Sequence, residues 1–208
     1  MMPTGGPEGG GLYVALLVAT FALHFLLVGF VVGGTAYLVA RAARGGDDLL
    51  AERTRDWLPF ALGAAITAGV APLLFVQVLY QQRFYTANLL LFHRWMAIVP
   101  ALIIGFYLLY VGKTSRAQQW PRWARLAVVG VALACFTFVA WTWVENHALA
   151  NADDAGTVWV QQYASGRLRY ASPMIAPRLA MWLALCAPLW AAPAGLLARA
   201  ARPDVALR

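Results

Sequence analysis

The chain has 208 residues, of which 62% are hydrophobic and 12% charged, and its formal net charge is +7 at pH 7. Soluble domains contain about 45–50% apolar and about 25% charged residues, so this composition excludes an ordinary soluble fold and predicts an integral membrane protein. The arginines lie in short segments between apolar runs and form no basic face. They therefore indicate membrane orientation and exclude a nucleic-acid surface.

Apolar runs that are long enough to cross about 30 Å of hydrocarbon recur along the chain. They predict an all-α bundle of about five transmembrane helices, a four-helix core plus a fifth, near Leu12–Ala40, Trp57–Tyr80, Ala87–Val111, Leu126–Trp143 and Pro177–Ala198. We expect residues 1–11 to form a flexible tail, residues 12–200 a single bundle and residues 201–208 a cytoplasmic tail. The first apolar run exceeds a signal-peptide core and follows no basic segment, so it should remain as a helix.

The connections between these helices differ in charge. About eleven Lys and Arg residues lie in the first and third loops and the C-terminal tail, and about five lie elsewhere. Because positive residues favour the cytoplasmic side, the N-terminus is predicted to lie outside and the C-terminus in the cytoplasm. The longest connection runs from Glu145 to about Ala176 without an apolar span, which is typical of a lid or docking loop.

Within the first helix, His24 lies in the segment TFALHFLLVGFVVGGTAYL. An imidazole in hydrocarbon needs a hydrogen bond or a metal, so His24 indicates either a contact with a neighbouring helix or haem ligation. Gly29 and Gly33 form a GxxxG pair that would let another helix approach closely. That pair lies roughly opposite the face of the helical wheel shared by Thr20, His24, Val31 and Thr35.

The second helix carries Gln77 and Gln81 at i,i+4 spacing, after Pro72, which loosens the helix. Their amides are suited to a quinone carbonyl or a haem propionate, and equally to hydrogen bonds between helices.

The third helix begins LLLFHRWM, which places His93 and Arg94 about two turns inside it. An arginine at that depth needs a counter-charge or a route to the interface. Three partners remain open for Arg94: a haem propionate, the carboxylate of Glu145 on the fourth helix, and lipid headgroups. His147, in the segment WTWVENHAL, is expected either at the interface or as a ligand.

With the predicted orientation, the polar candidates converge in the outer half of the bundle; they are His24, Gln77, His93, Arg94, Glu145 and His147. The histidines show no HxxxH or HExxH pairing, so zinc and copper have no support from spacing. No CxxCH, Walker or GxGxxG motif occurs, which argues against covalent haem and nucleotide chemistry. Cys135 and Cys186 are interpreted as small packing residues.

Three segments resemble the N-terminal four-helix part of the larger subunit of cytochrome bd quinol oxidases and shorter bd-like membrane proteins. They are ALHFLLVGFVVGGTAYLVA, ALGAAITAGVAPLLFVQVLYQQRFYT and FVAWTWVENHAL, and the resemblance covers about residues 12–150. It implies that His24 matches an axial haem ligand and that haem lies toward the outer face of a bacterial inner membrane. The chain departs from that family in its length, in the absence of the large quinol-binding loop, and in a fifth helix without histidine.

These features predict a haem-b-bearing, quinone-facing subunit of an electron-transport complex, and hence of a quinol-linked oxidoreductase. His24 and His93 are the metal-ligand candidates, with His147, Arg94, Gln77 and the weak ligands Met181 and Met174 as further cofactor contacts. The expected partners are other membrane or peripheral subunits, with a c-type cytochrome among them. One alternative is a structural anchor without cofactors. A small transporter has less support, because the sequence shows no broken helices in an inverted repeat.

Overall fold

A computed structural model describes residues 7–46 and 48–200 of the chain, and side chains for residues 10–46 and 48–196. These residues form helices and no strand. The helices are α1 (Pro7–Arg44), α2 (Leu49–Leu79), α3 (Gln81–Leu90), α4 (Phe92–Met96), α5 (Ile98–Lys113), α6 (Ser115–Gln118), α7 (Arg122–Ala150), α8 (Ala155–Ser165) and α9 (Ile175–Ala200). The predicted tails at residues 1–6 and 201–208 lie outside the described part, and residues 7–11 form the beginning of α1.

Five helical spans are long and apolar enough to cross a membrane, as the sequence predicted. They are Gly10–Arg44, Leu49–Leu79, Phe92–Lys113, Arg122–Ala150 and Ile175–Leu196. Each exceeds the roughly 20 residues that cross the hydrocarbon, and within a helix each backbone N–H finds its acceptor four residues earlier. The protein is therefore a multi-pass, all-α membrane bundle.

The first loop is much shorter than the run of charged residues between the first two apolar segments predicted. The structure extends α1 and α2 into it, because charged residues such as Glu52 are compatible with helix beyond the bilayer. Asp48 ends the connection as the N-cap of α2, where its carboxylate accepts the Ala51 N–H at 2.7 Å. Asp48 also accepts the Tyr37 hydroxyl and lies 3.3 Å from Arg41 Nε.

The third span is broken near its start, where one continuous helix was predicted over Ala87–Val111. In the structure α3 ends at Leu90, the short α4 follows, and α5 begins at Ile98. Pro100 explains the break before α5, because proline has no N–H to donate and its ring collides with the carbonyl four residues earlier. Because of this break, Arg94 lies on the short helix α4, which contacts α7.

Helix α1 lies at the centre of the bundle and packs against α2, α7 and α9. Gly29 and Gly33 face α9, which confirms a helix–helix role for the GxxxG pair. A Cβ at Gly33 would collide with the Cys186 carbonyl and lie 2.6 Å from Trp190 Cβ. Only glycine permits this approach, since any side chain would push α9 outward.

The predicted long connection after Glu145 is partly helical. Helix α7 continues through Glu145 to Ala150, and α8 follows with Asp154 as its N-cap. Residues 166–174 then return to α9, and this return segment lies against the end of α7. We call this the Glu145 end of the bundle and the opposite one the Asp48 end; the arginine distribution predicts that the Asp48 end faces the cytoplasm.

Candidate functional site

His24 lies between α1 and α2, on the face of α1 that the helical wheel predicted to present it. Its ring Nδ1 is 2.9 Å from the carbonyl oxygen of Ala65. A carbonyl oxygen has two lone pairs, so Ala65 can accept this bond and still serve its own helix. In that pairing Nδ1 carries the proton and Nε2 keeps its lone pair, because a carbonyl only accepts.

A glycine on α2 makes the approach of His24 to the Ala65 carbonyl possible. A Cβ at Gly69 would lie 2.8 Å from His24 Cε1 and 2.9 Å from Nδ1, closer than side-chain atoms normally come. The imidazole edge therefore fills the space that a side chain at residue 69 would take. Among the described residues His24 Nε2 has no hydrogen-bond partner, and the side chain is only half-buried.

Along the membrane normal, His24 lies far from the Asp48 end of the bundle. It is 13 residues from Tyr37, the tyrosine that bonds Asp48 at the end of the span, which corresponds to about 20 Å along the helix. The hydrocarbon layer is about 30 Å thick, so the ring is within lipid depth. A ring nitrogen at that depth without a partner is the kind of group that a ligand could satisfy.

A second polar cluster joins α4 to α7 at the Glu145 end. Arg94 donates from Nε and Nη2 to Glu145 Oε2, at 3.1 and 2.9 Å. The other oxygen of Glu145 accepts the backbone N–H of Tyr170 at 2.7 Å. The Glu145 side chain is 1% exposed and that of Arg94 19%, so this ion pair is largely removed from solvent and lipid.

The geometry favours one of the three partners that the sequence left open for Arg94. Its charge is matched by Glu145, and its guanidinium also lies 4.9 Å from the centre of the Phe138 ring. A haem propionate at Arg94 would have to compete with this carboxylate. Arg94 is therefore better assigned to holding α4 against α7.

The other sequence candidates do not join His24. His93 is exposed on α4 beside the Phe92 ring, and His147 is exposed on α7, where its Nδ1 lies 3.4 Å from Asn151 Nδ2. No hydrogen bond or ring contact connects any two of the three histidines within the described ranges. The same residues contain no group of three His, Cys, Asp or Glu side chains suited to a metal ion.

The remaining candidates also have separate surroundings. Gln77 accepts a hydrogen bond from the Tyr85 hydroxyl at 3.2 Å, which fits the interhelical alternative. Gln81 is exposed, and Met174 and Met181 are each more than half exposed. Both cysteines are free, as expected for packing residues, and Cys186 is buried at the close α1–α9 contact.

Two further residues, Asn146 and Tyr170, complete the Glu145 end. Asn146 donates to the side-chain carbonyl of Asn88 and so ties α7 to α3. Tyr170 supplies a backbone N–H, which no residue-type pattern reveals. In the sequence, the signal for this polar network is an adjacent Glu and Asn in an apolar run, and the structure buries both side chains.

The site therefore has two parts, a half-satisfied imidazole between α1 and α2 and a closed ion pair between α4 and α7. Comparison with known proteins found no matching family model, no matching curated protein and no matching solved structure.

Proposed function

We propose that this chain is a membrane subunit of a respiratory electron-transport complex, holding a haem b through His24. It would exchange electrons with quinone in a bacterial inner membrane and with a partner subunit at the outer face. The single observation that carries the proposal is the hydrogen bond between His24 Nδ1 and the Ala65 carbonyl, 2.9 Å long, on a ring within lipid depth.

This hydrogen bond has the form expected behind a metal-ligating histidine. Such residues donate their second ring N–H to a carbonyl or carboxylate, which fixes the tautomer and makes the coordinating nitrogen more basic. His24 meets both conditions, because Ala65 orients the ring and Nε2 retains its lone pair. Half-exposure of the side chain leaves the ring open to a group that approaches from the lipid side of α1 and α2.

Of the ligands that a haem would need, this chain supplies one that is oriented by a neighbouring helix, His24. His93 and His147 are exposed and so remain available only to a group that lies at the surface of the chain. We therefore place the haem at a subunit interface, where a partner completes the coordination that this chain begins. Met181, exposed on α9, has the same status as a weak ligand.

The protein's own contribution is position and polarity. Haem b supplies one-electron transfer when it is bound, and its potential depends on axial ligand identity and on local polarity. Ala65 and Gly69 position the imidazole against α2, within two helices that are both apolar enough to cross a membrane. Gln77 lies near the C-terminal end of α2. Its amide would meet a quinone carbonyl if its hydrogen bond with the Tyr85 hydroxyl opened.

The test is a reduced-minus-oxidised absorption spectrum of the native complex, purified by an affinity tag on this chain, with haem content measured per chain. His24→Asn keeps an amide N–H for Ala65 and removes the coordinating nitrogen, so we expect the haem band to disappear while the complex still assembles. His93→Asn is the matched control for an exposed histidine and should retain at least the band that depends on His24. A wild-type complex without haem, or a His24→Asn complex with an unchanged band, would refute the proposal.

A cofactor-free structural anchor is the second candidate, favoured by the Arg94–Glu145–Tyr170 cluster. Because this cluster satisfies its charges within the chain, it needs no propionate, and it stabilises a surface on which other subunits could assemble. The same purification separates the two candidates. A colourless complex that still contains its partner subunits supports the anchor, and a haem band lost in His24→Asn supports the first proposal.

A further inference from the structure

An open groove runs along one face of α7, separate from His24. It has a volume of about 510 Å³, within the range of about 300–1,000 Å³ that is typical of small-molecule sites. The α7 residues that line it recur at helical spacing, and two arginines from other segments complete it; the lining consists of Gly130, Leu133, Ala134, Thr137, Phe138, Trp141, Arg94 and Arg169.

The two arginines lie at the same end of the groove and differ in their partners. Arg94 is neutralised by Glu145, as described above. Arg169, in the return segment before α9, lies 5.8 Å from the centre of the Trp141 ring and takes part in no ion pair with the described residues. This end of the groove therefore carries one uncompensated positive charge beside a tryptophan, the residue typical of membrane interfaces.

The length of the groove matches one leaflet. From Trp141 to Gly130 is 11 residues, or about 16 Å along α7, and one leaflet contributes about 15 Å of hydrocarbon. Gly130, which has no side chain, and Ala134, which has only a methyl group, lie in the half of the groove away from Arg169. An apolar channel of this length with a cation at one end matches an amphiphile with an anionic headgroup.

We propose that this groove binds a phospholipid with an anionic headgroup, with its phosphate at Arg169 and one acyl chain along α7 toward Gly130. A neutral quinone would leave the charge of Arg169 unmatched. Haem is a weaker match, because the lining residues include no histidine, cysteine or methionine that could serve as an axial ligand. This inference goes beyond the proposed function and stands independently of His24.

The headgroup is tested by native mass spectrometry of the full chain released from nanodiscs that contain equal amounts of phosphatidylglycerol and phosphatidylcholine. We expect retained lipid to be enriched in phosphatidylglycerol and Arg169→Gln to reduce that enrichment about five-fold, since a charge-assisted contact at an exposed site is lost. Arg167→Gln is the matched control, because Arg167 is exposed two residues earlier and does not line the groove. It should leave the enrichment unchanged.

The acyl-chain position is tested by filling the groove. A Cβ at Gly130 meets no atom within 4 Å, so Gly130→Leu adds bulk to the groove without a clash at its root. We expect this variant to retain about five-fold less phosphatidylglycerol at unchanged thermal stability, because the leucine occupies the space of the chain. Gly63→Leu on α2 is the control, since Gly63 is equally open and distant from the lining residues.

Two outcomes would overturn the proposal. Equal retention of both lipids by the wild-type chain would remove the charge argument. Displacement of the lipid by a neutral short-chain quinone, with the same affinity in wild type and Arg169→Gln, would assign the groove to quinone instead.

Discussion

The His24 region and the Glu145 cluster are both polar sites within a lipid-spanning bundle, and they solve the same problem differently. Glu145 receives hydrogen bonds on both oxygens, from Arg94 and from the Tyr170 backbone. His24 has one hydrogen bond and one ring nitrogen without a partner among the described residues. A buried charge must be fully matched because its desolvation is costly, whereas a neutral imidazole tolerates one open nitrogen. We therefore expect the Glu145 cluster to stabilise the fold and His24 to be available to a ligand.

The largest effect should come from removing one member of the charged cluster. Glu145→Ala leaves Arg94 without its carboxylate and the Tyr170 N–H without an acceptor, so we expect a loss of about 3–5 kcal/mol in the free energy of unfolding. The measurement is reversible unfolding in mixed micelles of increasing SDS content. The control is the double variant Arg94→Met, Glu145→Gln, which removes both charges and keeps an acceptor for Tyr170. It should lose much less, and a loss below about 1 kcal/mol for Glu145→Ala itself would contradict a closed cluster.

The next effect concerns the space that His24 occupies. Gly69→Ala places a Cβ against the imidazole, 2.8 Å from Cε1, so the ring must leave the Ala65 carbonyl or α1 must shift. Overpacking of this kind costs about 1–3 kcal/mol. The same unfolding assay should show Gly63→Ala, whose Cβ meets nothing within 4 Å, to be neutral or slightly stabilising. If both alanines behave alike, the close contact of His24 with α2 is not present in the membrane.

The smallest effect is expected at the Asp48 end, where the polar groups meet water. Partial burial opposes ionisation of Asp48, but hydrogen bonds from the Ala51 N–H and the Tyr37 hydroxyl, with the charge of Arg41, lower its pKa. A lowered pKa in the folded state contributes stability that is complete above the unfolded pKa and is lost as the pH falls through the folded one.

Asp48→Ala removes this N-cap and should cost about 1 kcal/mol at pH 7. The difference in unfolding free energy between wild type and variant should shrink as the pH is lowered below the ordinary range of an aspartate. Asp153→Ala, at an exposed position that caps no helix, is the matched control. A difference that stays constant down to low pH would show that the Asp48 charge contributes nothing.

Part of the candidate site followed from residue types alone. The helical wheel of α1 predicted that His24 and the Gly29–Gly33 pair lie on different faces, and the structure places them against α2 and α9. Glu145 was one of three partners considered for Arg94, because intramembrane charges require counter-charges. The Tyr170 N–H was beyond prediction, since every residue has a backbone N–H and only the path of the return segment selects one.

The sequence by itself determined that this protein is a membrane bundle of five helices, because the length and apolar content of each run decide whether it can cross lipid. It also determined where polar groups would need partners. The tertiary structure decided which partners they have: Ala65 for His24, Glu145 for Arg94, and α9 for the glycines of α1. These pairings depend on how far each helix slides and rotates against its neighbour, and packing between distant segments sets that register. Periodicity within one helix carries no information about it.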